Sequence, residues 1–129
     1  MSVLQRIFYV EDEVDIQTVA KIALEIVGGL TVKVCSSGAE ALLEVEAFAP
    51  DMILLDVMMP DMDGVSLLKE LQKIPAIASV PVVFMTAKVL VSEIESLKRL
   101  GAIAVISKPF DPMTLSDQVK TLWEQFNAQ

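Results

Sequence analysis

The chain has 129 residues, of which 53% are hydrophobic, and this length and composition predict one globular domain with a sizeable core. It carries 10 basic and 18 acidic residues, and the net charge of -8 disfavours direct binding to the phosphate backbone of nucleic acids. The absence of histidine excludes histidine-dependent nucleophiles and most zinc sites, and the single cysteine, Cys35, excludes an intramolecular disulfide.

No apolar run approaches the roughly 18 residues that a membrane-spanning helix requires, and the first six residues do not resemble a secretion signal. We therefore expect a soluble, cytoplasmic protein that does not bind membranes. No linker, repeat or low-complexity segment interrupts the chain. Residues 1–129 are therefore expected to form a single domain with no attached effector domain.

Short apolar runs, rich in β-branched residues, alternate along the chain with longer amphipathic segments. The short runs predict strands that are each followed by a helix, which is typical of a parallel sheet covered on both faces. Right-handed crossovers then favour a three-layer α/β sandwich. The predicted strands cover residues 6–10, 31–35, 52–56, 81–86 and 102–106, and the predicted helices cover 14–27, 37–48, 65–74, 92–101 and the segment from 111.

Several helix starts carry capping signals. Ser37 and Ser92, each followed three residues later by glutamate, predict the starts of the second and fourth helices. Asp111, followed by proline, predicts the start of the last helix. The apolar stripes predicted by helical spacing are Val19, Ile22, Ala23 and Ile26 in the first helix, and Leu115, Val119, Leu122 and Phe126, with Trp123 at the margin, in the last.

Polar side chains collect at the carboxyl ends of four predicted strands. Glu11 and Asp12 follow the first strand, Asp56 ends the third, Thr86 ends the fourth, and Lys108 comes after the fifth. Because ligands of open α/β sheets bind beyond the carboxyl ends of the strands, we expect these residues to converge. A cluster of carboxylates repels itself unless a cation neutralises it, and hard oxygen ligands favour Mg²⁺, Mn²⁺ or Ca²⁺.

The Thr86 hydroxyl and the Lys108 ammonium group at this edge would not be needed if the site only stored a metal ion. A cation and a hydroxyl that face a metal-bound carboxylate are the groups that phosphoryl transfer requires. A carboxylate can itself be the nucleophile and form an aspartyl phosphate. Asp56 is the best candidate, because the middle of the sheet edge places it between the metal and Lys108.

These residues resemble the receiver domain of two-component response regulators, in particular the stand-alone receivers of the chemotaxis-regulator type. Each matching segment is weakly specific alone, but all of them occur in order, and together they cover essentially the whole chain. The segments are Val10-Glu11-Asp12-Glu13, residues 54–64 (LLDVMMPDMDG), Met85-Thr86-Ala87, Gly101-Ala102 and Lys108-Pro109-Phe110.

The resemblance implies a flavodoxin-like fold, with a five-stranded parallel sheet of order 2-1-3-4-5 and five helices. It also implies a phosphorylation-activated signalling switch. Asp56 matches the phosphoacceptor, and Lys108 matches the lysine that pairs with the phosphoryl oxygens. Thr86 matches the hydroxyl that moves toward the phosphoryl group.

The resemblance further implies a Mg²⁺ site, which Mn²⁺ can also occupy. The matching metal ligands are Asp12, Asp56 and the backbone carbonyl of Met58, whose side chain is therefore free to vary. Glu11 matches an acid that acts on the metal mainly through water. The bond between Lys108 and Pro109 is typically cis in this family.

The implied phosphoryl donor is a sensor histidine kinase or a histidine phosphotransfer protein, and the implied output is a downstream protein target. That target is bound through the fourth helix, fifth strand and fifth helix, by a monomer or a phosphorylation-dependent dimer. Many receivers have an aromatic residue three positions before the lysine, where this chain has Val105. We therefore expect the output to depend more on Val89, Leu90 and Val91 of the fourth helix than on the fifth strand.

Two other functions fit parts of the pattern. An aspartyl-phosphate hydrolase would use Asp56 on small phosphoesters, but such enzymes need a second aspartate two positions later, where this chain has Met58. A pseudo-receiver would bind partners without phosphorylation, and the intact set of Asp56, Thr86, Lys108 and acidic residues argues against it. The sequence therefore favours a phosphoacceptor domain that is not an enzyme beyond its own phosphotransfer and dephosphorylation.

Overall fold

A computed structural model of the chain describes residues 3–87 and 90–129. The strands are β1 (Arg6–Val10), β2 (Thr31–Cys35), β3 (Met52–Asp56), β4 (Val82–Thr86) and β5 (Ala104–Ser107), and the helices are α1 (Val14–Ile22), α2 (Gly38–Phe48), α3 (Gly64–Gln72), α4 (Val91–Arg99) and α5 (Leu115–Asn127). The strands form one parallel sheet in the order β2-β1-β3-β4-β5, so the expected three-layer, flavodoxin-like fold is confirmed. Within the described ranges, no helix is long and apolar enough to cross a membrane.

Both faces of the sheet are buried, and this explains why the strands are apolar at nearly every position. Along β1, Ile7 and Tyr9 enter the core beneath α1 and α5, while Phe8 and Val10 enter the core beneath α2 and α3. Every residue of β3 and β4 is buried. Because β3 is the central strand, its last residue, Asp56, lies in the middle of the carboxyl edge.

The first helix does not continue as a uniform α-helix to its predicted end. Residues Ala23–Val27 form a π-helical turn, and Gly28 follows it. A side chain at Gly28 would collide with Ser116 of α5, and the Gly28 carbonyl accepts a hydrogen bond of 2.7 Å from Lys120 Nζ. This end of the helix is therefore fixed directly to α5.

The apolar stripes predicted for α1 and α5 were wrong in part. Helical spacing identifies an apolar face, but two apolar faces lie side by side on α1, and spacing does not tell which one meets the sheet. On α5, Trp123 enters the core, whereas Leu122 and Phe126 are only half-buried. In and after α1, the buried residues are Ala20, Ala23 and Leu24, and the exposed ones include Val19, Ile22 and Ile26.

The capping predictions had mixed outcomes at the second and fourth helices. Ser37 Oγ accepts a hydrogen bond of 3.1 Å from the Glu40 N–H, so the predicted start of α2 is confirmed. The start predicted at Ser92 was wrong, because α4 already begins at Val91 and no side chain caps it. A serine followed three residues later by a glutamate therefore occurs inside a helix as well as at its start.

Two further boundaries differ from the sequence prediction. Asp111 Oδ1 accepts the Met113 N–H at 2.9 Å and the Asp111 carbonyl accepts the Leu115 N–H at 3.0 Å, so Asp111 caps a turn that leads into α5, which itself begins only at Leu115. The fifth strand begins at Ala104, two residues later than predicted, because the chain first leaves α4 through Gly101 at a φ of 126°. These shifts leave the order of the elements unchanged.

Helix α4 is attached to the domain more loosely than the other helices. None of residues 91–99, all of which are described, is buried. Leu97 is half-buried against the core beneath α2 and α3, whereas Leu90 and Val91 at the start of the helix are exposed. Val89, the third residue predicted for the output surface, lies outside the described residues.

Candidate functional site

The carboxyl edge of the sheet brings together the acidic residues that the sequence singled out. Glu11 and Asp12 follow β1, and Asp56 ends β3. One carboxylate oxygen from each lies within 4.8 Å of the others. Two of these acids, Glu11 and Asp56, are buried, so the cluster lies in the protein rather than on its surface.

Lys108 is shared between two of these acids. Its Nζ lies 2.9 Å from Glu11 Oε1 and 3.2 Å from Asp56 Oδ1. The lysine follows β5 directly, and its backbone N–H donates to the Thr86 carbonyl at 2.9 Å. The expected cis bond to Pro109 is confirmed. The ends of β1, β3, β4 and β5 are thus linked through the backbone and side chain of one residue.

Glu11 is held by donors on both of its oxygens. Oε1 accepts hydrogen bonds from Lys108 Nζ at 2.9 Å and from the Tyr9 hydroxyl at 3.3 Å, and Oε2 accepts the Glu13 N–H at 3.2 Å. Burial opposes ionisation of Glu11, but the hydrogen bonds from Lys108 and the Glu13 N–H outweigh it and lower the pKa. Burial, together with the charge of Glu11, raises the pKa of Tyr9 far above its usual range, so the tyrosine is a hydrogen-bond donor.

Asp56 behaves in the opposite way. Burial raises the pKa of Asp56 to about 6, the negative charge of Glu11 adds to this effect, and Lys108 offsets only part of it. Its Oδ1 also accepts the Met58 N–H at 3.3 Å. Two buried acids thus compete for one ammonium group, and Asp56 is the one that retains its proton more readily.

Asp12 supplies the observation that points to a cation. Its Oδ1 is buried and has no hydrogen-bond partner among the described residues. A buried oxygen without a partner is unfavourable, and the Asp12 carboxylate belongs to the same cluster as Asp56 and Glu11. The cluster offers only oxygen ligands, which suit Mg²⁺ or Mn²⁺ better than softer metals. The residues present therefore fit the implied metal.

The loop after β3 fits closely around Asp56. A Cβ at Gly64 would lie 2.3 Å from the Asp56 carbonyl oxygen, so the loop can pack there only with glycine. Asp63 caps α3 by accepting the Ser66 N–H at 2.7 Å. The Met58 side chain is 63% exposed, and the contact of this residue with Asp56 is made by its backbone.

Thr86 and an apolar groove complete the surroundings of the cluster. The Thr86 side chain is buried at the end of β4, on the same edge of the sheet. A groove of about 400 Å³ lies beside Lys108, between α1 and the loop after β5. The groove is lined by Asp15, Ile16, Val19, Ala87, Lys108, Pro109 and Phe110.

Sequence reasoning missed the contact between Glu11 and Lys108 and the part that Tyr9 has in it. Residues 11 and 108 are far apart in the chain, and no local pattern connects them. A sequence signal for the contact between Tyr9 and Glu11 was present, because residues two apart in a strand lie on the same face. Tyr9 is the only residue of β1 with a hydroxyl group, and it shares that face with Glu11.

Comparison with known proteins agrees with this geometry. The family model of the response regulator receiver domain matches residues 7–120. The alkaline phosphatase synthesis transcriptional regulatory protein PhoP of Bacillus subtilis is 35% identical over 120 residues, which cover 92% of this chain and 48% of the relative. The response regulator Rre1 of Synechocystis is 32% identical over 113 residues, which cover 88% and 49%.

The chain spans about half the length of the curated relatives it matches, so the single-domain organisation predicted for residues 1–129 stays a prediction. Among solved structures, the Vibrio cholerae chemotaxis protein CheY4 has a TM-score of 0.85 at 25% identity, and the match covers 93% of this chain and 99% of that one. A CheY-like receiver domain protein from Methanospirillum hungatei has a TM-score of 0.82 at 28% identity, with coverage of 98% and 99%. The chain belongs to the response regulator receiver domain family.

Proposed function

We propose that this receiver domain is a phosphorylation-activated signalling switch that accepts a phosphoryl group on Asp56. The observation that carries the proposal is the pairing of Asp56 with Lys108 at 3.2 Å, beside the buried Asp12 oxygen that has no partner among the described residues. In the reaction, an Asp56 oxygen forms a bond to phosphorus as the bond between phosphorus and the donor nitrogen breaks. The product is an aspartyl phosphate.

We assign the metal ligands to Asp12, Asp56 and the Met58 carbonyl, with Glu11 acting mainly through water. The metal is Mg²⁺, with Mn²⁺ as the alternative, and when bound it supplies positive charge beside the carboxylate and the phosphoryl group. The contribution of the chain is to hold these oxygens at a buried edge of the sheet, where few competing water molecules reach them. Burial at this edge strengthens the interaction of these carboxylates with a positive charge, because little water is available to screen it.

Lys108 supplies the second positive charge of the proposed mechanism. Burial acts to lower the pKa of Lys108, but its hydrogen bond to Glu11 and the charge of Asp56 outweigh burial and raise the pKa. The side chain therefore remains an ammonium group at neutral pH. Since Nζ already contacts Asp56 Oδ1, it needs only a small movement to pair with phosphoryl oxygens on the same residue.

The proposed output begins at Thr86. Its hydroxyl would turn toward the new phosphoryl group and shift the population of the loop after β4, to an extent set by the phosphoryl contacts of the two states. Val105 of β5 is half-buried, and it lacks the aromatic ring that many receivers rotate here. Helix α4 follows the same loop and has no buried residue among 91–99, so it can be displaced at little cost in free energy.

The proposed phosphoryl donor is a phosphohistidine on a sensor histidine kinase or a histidine phosphotransfer protein. Val19 lines the apolar groove beside Lys108, and the apolar residues Ile22 and Ile26 further along the chain are exposed, so these residues offer a surface to a helix of such a donor. The activated domain would then bind a downstream protein target, as a monomer or a phosphorylation-dependent dimer. A cytoplasmic location stays a prediction.

We also propose that the domain is not an enzyme beyond its own phosphotransfer and dephosphorylation. A phosphohydrolase would need an acid two residues after the nucleophile, and the exposed thioether of Met58 cannot donate a proton. A pseudo-receiver does not need a lysine that is shared between two buried acids, whereas Lys108 pairs with both Glu11 and Asp56.

Incubation with a small acyl phosphate and Mg²⁺ is expected to add one phosphoryl group to the protein, as measured by intact mass spectrometry. The added mass should depend on Mg²⁺ and should be absent from Asp56→Asn. Asp61→Asn, which changes an exposed acid of the neighbouring loop, is the matched control and should be modified like the wild type. Repeated turnover of phosphoesters would favour a hydrolase, and a wild-type protein without any modification would favour a pseudo-receiver.

In metal-free protein, Asp56→Asn is expected to raise the free energy of unfolding near neutral pH by about 1–3 kcal/mol. The folded state raises the pKa of Asp56 to about 6, so it binds this proton more tightly than the unfolded chain does. The stability of the wild type therefore falls as the pH rises from about 4 to about 6, and asparagine removes this loss.

Urea unfolding at several pH values in the presence of a chelator measures this effect. The gain from Asp56→Asn should disappear below about pH 4, where the wild-type carboxyl is protonated in both the folded and the unfolded protein. Glu124→Gln removes the same charge from an exposed position of α5 and should give no such pH dependence. A stability gain of equal size at all pH values would contradict the proposed cause.

Phosphorylation is expected to change amide exchange at the start of α4, around Leu90 and Val91, more than in β5. The physical reason is that α4 is held by half-buried contacts only, whereas Val105 cannot relay the change as an aromatic ring does. Hydrogen–deuterium exchange, compared with and without the acyl phosphate, measures this. Asp56→Asn treated in the same way is the control, and a change confined to β5 would refute the prediction.

A further inference from the structure

Tyr9 is the single tyrosine of the chain, and its side chain is completely buried in the core beneath α1 and α5. Its hydroxyl lies 3.3 Å from Glu11 Oε1. A phenylalanine ring would fill nearly the same space, so packing alone does not require the hydroxyl group. The hydroxyl group of Tyr9 adds a hydrogen-bond donor for the carboxylate of Glu11.

Glu11 Oε1 has two donors at unequal distances. Lys108 Nζ lies at 2.9 Å, and the Tyr9 hydroxyl lies at 3.3 Å, which is long for a hydrogen bond between two oxygens. The charged donor therefore makes the stronger bond in this state. The other oxygen, Oε2, accepts the Glu13 N–H at 3.2 Å. Because Glu11 is completely buried, bulk water does not replace a donor that leaves.

Lys108 cannot remain equally close to Glu11 and to a phosphoryl group on Asp56. The phosphoryl group would bring additional charged oxygens next to Asp56 Oδ1, which is 3.2 Å from Nζ. As Nζ moves toward them, its bond to Glu11 Oε1 lengthens. A buried carboxylate oxygen that loses its donor is unfavourable, and this would oppose the movement of the lysine.

We propose that Tyr9 is a positioning residue for phosphoryl transfer, whose hydroxyl holds Glu11 while Lys108 turns from Glu11 to the phosphoryl group. The inference rests on the proposed function, since it concerns the phosphorylation of Asp56. Tyr9 contacts Glu11 and acts only through it. Glu11 thereby anchors Lys108 before the reaction and receives a closer Tyr9 hydroxyl after it.

The single tyrosine allows a direct test by NMR. Protein labelled with ¹³C at tyrosine Cζ gives one signal, whose chemical shift reports the hydrogen bond of the Tyr9 hydroxyl. In unphosphorylated Lys108→Met, this signal is expected to move, because the Tyr9 hydroxyl becomes the closer donor for Oε1. Phosphorylated wild-type protein should show a movement in the same direction. Lys73→Met, which removes an exposed lysine next to α3, should leave the signal unchanged.

The kinetic test is a double-mutant cycle on the rate of phosphorylation by a small acyl phosphate at saturating Mg²⁺. Tyr9→Phe is expected to lower the rate about three- to tenfold in the wild-type background. In the Lys108→Met background it should lower the rate less than about twofold, because no lysine then needs to be released. A merely structural role for Tyr9 would give the same loss in both backgrounds. Phe8→Leu, on the opposite face of β1, shows what weaker packing alone does to the rate.

The outcomes separate this inference from the proposed function. A wild-type protein that is not phosphorylated contradicts the proposed function, whereas the NMR comparison of unphosphorylated wild type with Lys108→Met still tests Tyr9. A tyrosine signal that does not respond to Lys108→Met overturns the role of Tyr9. A Tyr9→Phe protein that is phosphorylated at the wild-type rate, while wild type reacts normally, overturns it as well.

Discussion

The interaction on which the site depends is the sharing of Lys108 between two buried carboxylates. Its ammonium group lies 2.9 Å from Glu11 and 3.2 Å from Asp56, and one positive charge cannot balance two negative ones. Glu11 is the better satisfied partner, whereas burial, reinforced by the negative charge of Glu11, raises the pKa of Asp56 to about 6. Asp12 adds a third carboxylate with a buried oxygen that has no partner among the described residues. The edge of the sheet thus carries excess negative charge that a small hard cation would balance.

The packing that stabilises the domain also brings these acidic residues together at a buried edge of the sheet. A parallel sheet covered on both faces buries its central strands completely, and β3 carries Asp56 into that environment at its last residue. The loop that follows remains close to the acid because Gly64 allows backbone to pack against backbone. A carboxylate on an exposed loop would keep its ordinary pKa and would need no cation. The proposed reactivity of Asp56 is therefore a consequence of its place in the fold.

Most of the fold could be predicted from the sequence, because strand burial and helix periodicity are local properties of the chain. The sequence also predicted that Glu11, Asp56 and Lys108 converge, since the carboxyl ends of parallel strands lie at one edge of the sheet. The prediction failed where a choice depended on tertiary contacts. The exposed and buried apolar faces of α1 have the same spacing, and the serine signal at Ser92 occurs inside α4. The Glu11–Lys108 pair joins residues 97 positions apart, which no local pattern specifies.

Binding of a divalent cation between Asp12 and Asp56 is the central claim, and crystals soaked in a manganese salt test it most directly. Anomalous difference density should then show one peak within bonding distance of carboxylate oxygens from both residues and of the Met58 carbonyl. The Asp12 oxygen that lacks a partner should be among the ligands. Crystals in which this position stays empty at saturating manganese, with Asp12 turned toward solvent, would contradict the claim.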